Sequence, residues 1–120
     1  MPAVIAVVIL ALLAVFQVAL AAGAPLGHFA WGGQHRVLPR NLRVGSVVSI
    51  LIYALIAVVL LDRAAIIEVI PFDVVAAWVV FGYFALGIVL NAVSRSKPER
   101  LVMTPVVLVL AVLSLLVALG

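Results

Sequence analysis

The chain has 120 residues, of which 69% are hydrophobic and 9% charged, and its formal net charge is +3; the mean hydropathy is +1.52. A soluble domain is about half apolar and a quarter charged, so this composition excludes an ordinary cytosolic enzyme fold, a disordered segment and a basic nucleic-acid-binding domain. The solvent it fits is a bilayer.

All of the Asp, Glu, Lys and Arg residues fall in three short windows: Arg36, Arg40 and Arg43; then Asp62, Arg63, Glu68 and Asp73; then Arg95, Lys97, Glu99 and Arg100. They leave four charge-free spans at approximately 3–24, 44–61, 74–92 and 101–119. At about 1.5 Å of rise per residue each span matches a hydrocarbon core of about 30 Å. The expected fold class is therefore all-α: one integral membrane four-helix bundle, up-down-up-down, with short connections.

The first span has the small-x-small form of a cleavage site at Ala19-Leu20-Ala21. No Lys or Arg precedes it, however, and its apolar run exceeds the roughly 7 to 15 residues of a signal peptide core, so it reads as a retained span. It carries Gln17. The following segment, Gly27 to Arg36, holds both histidines, His28 and His35, together with Trp31 and three of the eight glycines. Phe29 and Trp31 suit an interface, and a partly re-entrant loop capping the bundle is the expected form. The second span carries Ser46, Ser49 and Tyr53 on one helical face, the third Tyr83, Gly87, Asn91 and Ser94, and the fourth Thr104, Ala111, Ser114 and Ala118.

Six of the seven basic residues lie in the first and third connections. The positive-inside rule places those connections, 25–43 and 93–100, in the cytoplasm, and both termini outside an inner membrane that the chain crosses several times. Trp31 and Trp78 then sit near opposite interfaces. With this orientation Gln17, Ser46, Ser49, Asn91 and Thr104 occupy the cytoplasmic half, Tyr53 and Tyr83 lie near the middle, and the outer half is almost pure hydrocarbon. Such an asymmetry suits a vestibule open to the cytoplasm better than a continuous pore. Small and weakly polar stripes also serve helix packing, with interhelical hydrogen bonds of about 0.6 kcal/mol each.

An offset of 59 residues lays Arg36-Val37-Leu38-Pro39-Arg40-Asn41-Leu42 over Arg95-Ser96-Lys97-Pro98-Glu99-Arg100-Leu101, and Gly23 over Gly82. Two parallel two-helix repeats would produce this pattern; so would a shared preference for Arg and Pro at helix starts, where the missing N–H of Pro39 or Pro98 costs least.

The expected ligand-binding set is His28, Trp31, His35, Arg36, Asn91 and Arg95, facing the cytoplasm, and the expected intramembrane polar set is Gln17, Ser46, Ser49, Tyr53, Tyr83 and Thr104. No catalytic constellation is visible: there is no GxSxG elbow, HExxH pair or phosphate-binding glycine loop. Glu99, near Arg95 and Arg100, reads as a salt-bridged structural acid. Having no cysteine, the chain lacks thiolate chemistry and Cys-ligated metal. No metal site or cofactor is expected, haem or metal through His28 and His35 being the exception that imidazole chemistry leaves open. Expected partners are membrane lipids, including anionic headgroups, and further copies of the chain or the subunits of a larger membrane complex; nucleic acid is not among them. The favoured function is a non-enzymatic membrane component, either an accessory subunit or a binder of lipid or another hydrophobic ligand. An oligomeric small-solute transporter and a histidine-based haem or metal protein are the alternatives.

In size and span count the chain resembles the small multidrug-resistance transporters and the fluoride-channel family. The former carry a glutamate in the middle of the first span, where this chain offers only Gln17, and the motifs of the latter are not visible.

Overall fold

The computed structural model describes residues 2–33, 35–68, 71–94 and 96–120, with His28 and Gly32 described by their backbone alone. The apolar runs form four helices: α1 Pro2–Ala21, α2 Arg40–Arg63, α3 Asp73–Ala92 and α4 Lys97–Leu119. Each is long and apolar enough to cross a membrane, and the molecule is 40 Å along its longest axis. No strand occurs among the described residues.

Helix ends follow local chemistry more closely than charge. α1 stops at Ala21 although the sequence stays apolar to Ala24, because Gly23 turns left-handed at φ 95°. The Ala24 N–H then reaches the Ala19 carbonyl and the Gly23 N–H that of Leu20, the paired bonds that close a helix C-terminus at a glycine. α2 closes in the same way, Ile66 N–H to Leu61 and Ala65 N–H to Asp62. Here an alanine occupies the left-handed position at φ 62°, which costs about 1–2 kcal/mol relative to a right-handed residue. At their starts α2 and α4 run past the apolar windows into Arg40 and Lys97, behind Pro39 and Ser96. Asp73 and Glu99 lie in the first turns of α3 and α4, where a negative charge complements the helix dipole.

The helices pack in ring order, α1 chiefly on α2 and α3 chiefly on α4, with lighter α1/α4 and α2/α3 seams. Cross-links define the antiparallel arrangement. Gln17 near the end of α1 bonds Tyr53 just past the middle of α2, and Arg63 at the end of α2 donates to the Ala118 carbonyl at the end of α4. One end of the bundle thus holds the 22–39 connection with Arg36, Arg40, Arg43, Lys97 and Arg100, and is called the basic end below. Trp78, in an edge-on pair with Phe81 at 6.0 Å, belongs to the opposite end.

Each helix buries a seam spaced three and four residues apart, the pattern of knobs packing into holes. On α1 it runs Ala3, Ala6, Leu10, Leu13, Gln17 and Leu20; on α2 Ser46, Ser49, Tyr53, Ile56 and Leu60. Val80 and Phe84 of α3 and Leu110, Ala111 and Val117 of α4 complete the core. Only 17% to 28% of each span's apolar window is buried in the bundle, so most of every helix is left for lipid to solvate. The 59-residue offset lays Arg40, the first residue of α2, over Glu99, the third of α4, whereas Gly23 lies beyond α1 and Gly82 within α3.

Candidate functional site

The basic end contains a cavity of about 200 Å³ lined from all four helices and the connection: Leu13, Phe16 and Gln17 of α1, Ser49 and Tyr53 of α2, Asn91 of α3, Glu99, Met103 and Val107 of α4, and Phe29, Ala30 and Trp31 from the two short 3-10 turns. The turns, Gly27–Phe29 and Trp31–Gly33, fold inward because Gly27 sits against the far strand of the connection. Its N–H donates to the Arg36 carbonyl at 2.8 Å, and a Cβ at Gly27 would overlap the His35 carbonyl oxygen.

Trp31 is held by a second close approach. A Cβ on Gly45 would lie 2.9 Å from the indole ring, so the bare backbone of α2 is what admits it. The indole N–H points at the fully buried Ser46 hydroxyl, 3.4 Å away. Trp31 itself adopts φ 53°, a left-handed conformation rare for a bulky residue. Such strain persists where surrounding contacts over-determine it, and it clusters at binding sites.

The polar atoms are unevenly satisfied. Gln17 is 8% exposed; its Nε2 donates to the Tyr53 hydroxyl at 3.2 Å, while its Oε1 is buried with no partner among the described residues. Leaving a buried acceptor unmatched costs about 1–3 kcal/mol. Asn91 Nδ2 donates to the Gly87 carbonyl and the Ser49 hydroxyl to that of Gly45, both within their own helices. Glu99, 7% exposed, is the single acid of the lining, and no Arg or Lys lines it among the described residues. Arg43 Nε donates to the Leu38 carbonyl and Arg100 Nη1 to that of Ser94.

Two further spaces adjoin this cavity. An apolar groove of about 470 Å³ runs along the α1/α4 seam between Ile9, Leu12, Leu13 and Phe16 on one side and Val102, Met103, Pro105, Val106 and Val109 on the other. A pocket of about 240 Å³ between α2, α3 and α4 shares Leu13, Tyr53, Asn91 and Val107 with the cavity. Leu13 borders all three.

Of the expected ligand-binding set, Trp31 and Asn91 meet at the cavity, whereas His35 and Arg36 are exposed on the connection and line none of these spaces. Arg95 and the side chain of His28 lie outside the described residues. Of the polar set, Gln17, Ser49 and Tyr53 line the cavity, and Ser46 acts one step back through Trp31. Tyr83 is 46% exposed and borders the pocket beyond Tyr53, and Thr104 has a buried, unpartnered hydroxyl elsewhere on α4. Sequence reasoning gave Glu99 a structural role and passed over Met103 and Val107, although their spacing of four residues on α4 put all three on one face. It also passed over Phe16 and Phe29, which nothing in a sequence so rich in apolar residues singles out. Among the described residues no three His, Cys, Asp or Glu side chains are grouped to hold a metal ion.

Comparison with protein-family models, curated proteins and solved structures gives no match for this chain.

Proposed function

We propose that this four-span membrane protein is a non-enzymatic membrane component that holds a lipid-like ligand in the cavity at its basic end, with the 22–39 and 93–96 connections in the cytoplasm. The observation that carries the reading is the cavity itself: Gln17, Tyr53, Ser49, Asn91 and Glu99 converge on one space that shares Leu13, Phe16 and Met103 with an apolar groove. A concave, largely apolar site with a few convergent polar groups is the usual form of a small-ligand pocket. The absence of a nucleophile–base pair in the lining favours holding over converting.

The test is retention. Extracted from its own membrane in mild detergent and weighed intact by native mass spectrometry, the wild-type chain carries one lipid-sized adduct. Asn91→Leu lowers its occupancy about tenfold, the equivalent of one lost hydrogen bond to the ligand. A bare wild-type chain, alone or beside an equally bare variant, ends the proposal.

Orientation has its own measurement. Because the chain has no cysteine, a single His35→Cys substitution on the exposed connection reports cleanly: intact cells leave it unlabelled by a membrane-impermeant maleimide, and permeabilised cells do not. Labelling in intact cells reverses the orientation.

A further inference from the structure

The cavity and the groove have opposite characters and share a wall. Leu13, Phe16 and Met103 border both, so a molecule can lie across that wall with a polar end among Gln17, Tyr53 and Asn91 and an apolar end along the α1/α4 seam. The groove faces the surroundings of the bundle: Leu12, Val102, Val109 and Pro105 on its rim are exposed. In hydrocarbon the occupant of such a groove is a hydrocarbon chain, since nothing else is abundant there. Pro105 supplies no N–H to the Leu101 carbonyl, which loosens α4 where the groove meets the cavity.

The head is specified by the amide. Gln17 lines the cavity; its Nε2 is engaged with the Tyr53 hydroxyl, and its Oε1 is buried and unpartnered among the described residues. If the oxygen faces the cavity it needs a donor; if the amide turns over, its N–H needs an acceptor. An alcohol answers both, because a hydroxyl donates one hydrogen bond and accepts two. A carboxylate only accepts, so it answers the amide in one orientation and not in the other. A quaternary ammonium donates nothing.

Building on the proposed cavity reading, we infer that the ligand is a lipid alcohol, its uncharged hydroxyl head bonded to the Gln17 amide beside Tyr53 and its hydrocarbon chain lying in the groove between α1 and α4.

The experiment compares heads on one chain length. The full chain is reconstituted in phosphatidylcholine nanodiscs as a Trp78→Phe variant, so that Trp31 is the sole indole, and is titrated with 1-hexadecanol, palmitate and hexadecyltrimethylammonium while Trp31 emission is followed. Expected is saturable one-to-one binding of hexadecanol, at least about tenfold tighter than either charged amphiphile. Gln17→Leu weakens it about tenfold, the consequence of one buried hydrogen bond. Val109→Phe, which fills the groove from its exposed rim without adding an indole, weakens it by a similar factor and leaves the packed core untouched. Gln17→Leu removes the bond to the Tyr53 hydroxyl along with the unmatched oxygen, so thermal unfolding of the unliganded variant is measured beside wild type, and a misfolded protein is not mistaken for a lost site.

Equal affinity for the three heads, a preference for the cation or the anion, or indifference to Gln17→Leu overturns the inference. In each of those cases an amphiphile still occupies the cavity and the proposed function stands. No Trp31 response to any probe, together with no adduct on the natively extracted chain, removes both.

Discussion

Gly27→Ala unseats the connection between α1 and α2 and lowers stability by about 3 kcal/mol, near the upper end of what overpacking costs. The added methyl meets the carbonyl oxygens of His35 and Arg36, which are backbone atoms and cannot rotate away as a side chain would. The Gly27 N–H bond to Arg36 opens with them. Since Phe29, Ala30 and Trp31 ride on the same turns and form one wall of the cavity, the loss is local in cause and functional in effect. The measurements are thermal unfolding in detergent, the emission of Trp31, which shifts to the red as the ring leaves Gly45, and proteolysis, which begins cutting within residues 25–36. Gly82→Ala is the control, because a Cβ there meets nothing within 4 Å and lies within α3, where alanine is the better helix former. It is neutral or stabilising. Equal behaviour of the two variants would mean that the connection is not folded against itself.

Leu110→Ala costs about 2–4 kcal/mol, and Leu116→Ala on the same helix costs close to nothing. Both remove the same atoms. Leu110 is fully buried in the centre of the bundle, whereas Leu116 is exposed to the surroundings. In water the buried leucine would lose a transfer term as well as leaving a cavity. In a bilayer both positions are in apolar surroundings, and only the cavity and its lost dispersion contacts remain, which sets the lower end of the range. Chemical or thermal unfolding in bilayer discs separates the two variants. A large loss for Leu116→Ala, or none for Leu110→Ala, would assign the packed face of α4 incorrectly.

That same equivalence of inside and outside explains what was readable in the sequence. Four charge-free runs announced four helices, since no soluble alternative tolerates so much continuous apolar length. The packed faces could be read only where polarity broke the monotony: Ser46, Ser49 and Tyr53 marked the seam of α2, which the structure continues through Ile56 and Leu60. On α1 only Gln17 was informative, because Leu10 and Leu12 are the same residue type and lie on opposite faces, one buried and one at the rim of the groove. The ends of helices eluded counting for a different reason. Gly23 closes α1 through a positive φ, and Arg40 and Lys97 are simply carried into helices that begin before the hydrocarbon does.

The site was half readable. Gln17, Ser49, Tyr53 and Asn91 announce themselves as polar residues in apolar helices, and Trp31 as an aromatic in a glycine-rich turn. The histidines drew attention for their chemistry, yet His35 is exposed on the outer strand of the connection, and its backbone, not its imidazole, abuts Gly27. The inward fold of the connection depends on contacts between residues nine and more apart, Gly27 with Arg36 and Trp31 with Gly45 and Ser46. No local preference encodes those contacts. Glu99 read as a salt-bridged structural acid because it is flanked by basic residues in sequence, and nothing in that reading marked it as a residue of the cavity, to which α4, starting at Lys97, brings it as a buried side chain.

The ring of helices is built as two tight hairpins, α1 with α2 and α3 with α4, joined by lighter seams. Each hairpin can enter a membrane as a unit, but the cavity draws its walls from both and so comes into being only when they dock. A ligand in it binds the docked bundle and neither hairpin alone. By mass action its occupancy therefore adds RT ln(1 + [L]/Kd) to the cohesion of the bundle, about 2.7 kcal/mol at a hundredfold excess over Kd. On the proposed function, a molecule held in the cavity would thereby also be a clasp, and the lifetime of the assembled protein in a membrane would become a function of what that membrane contains.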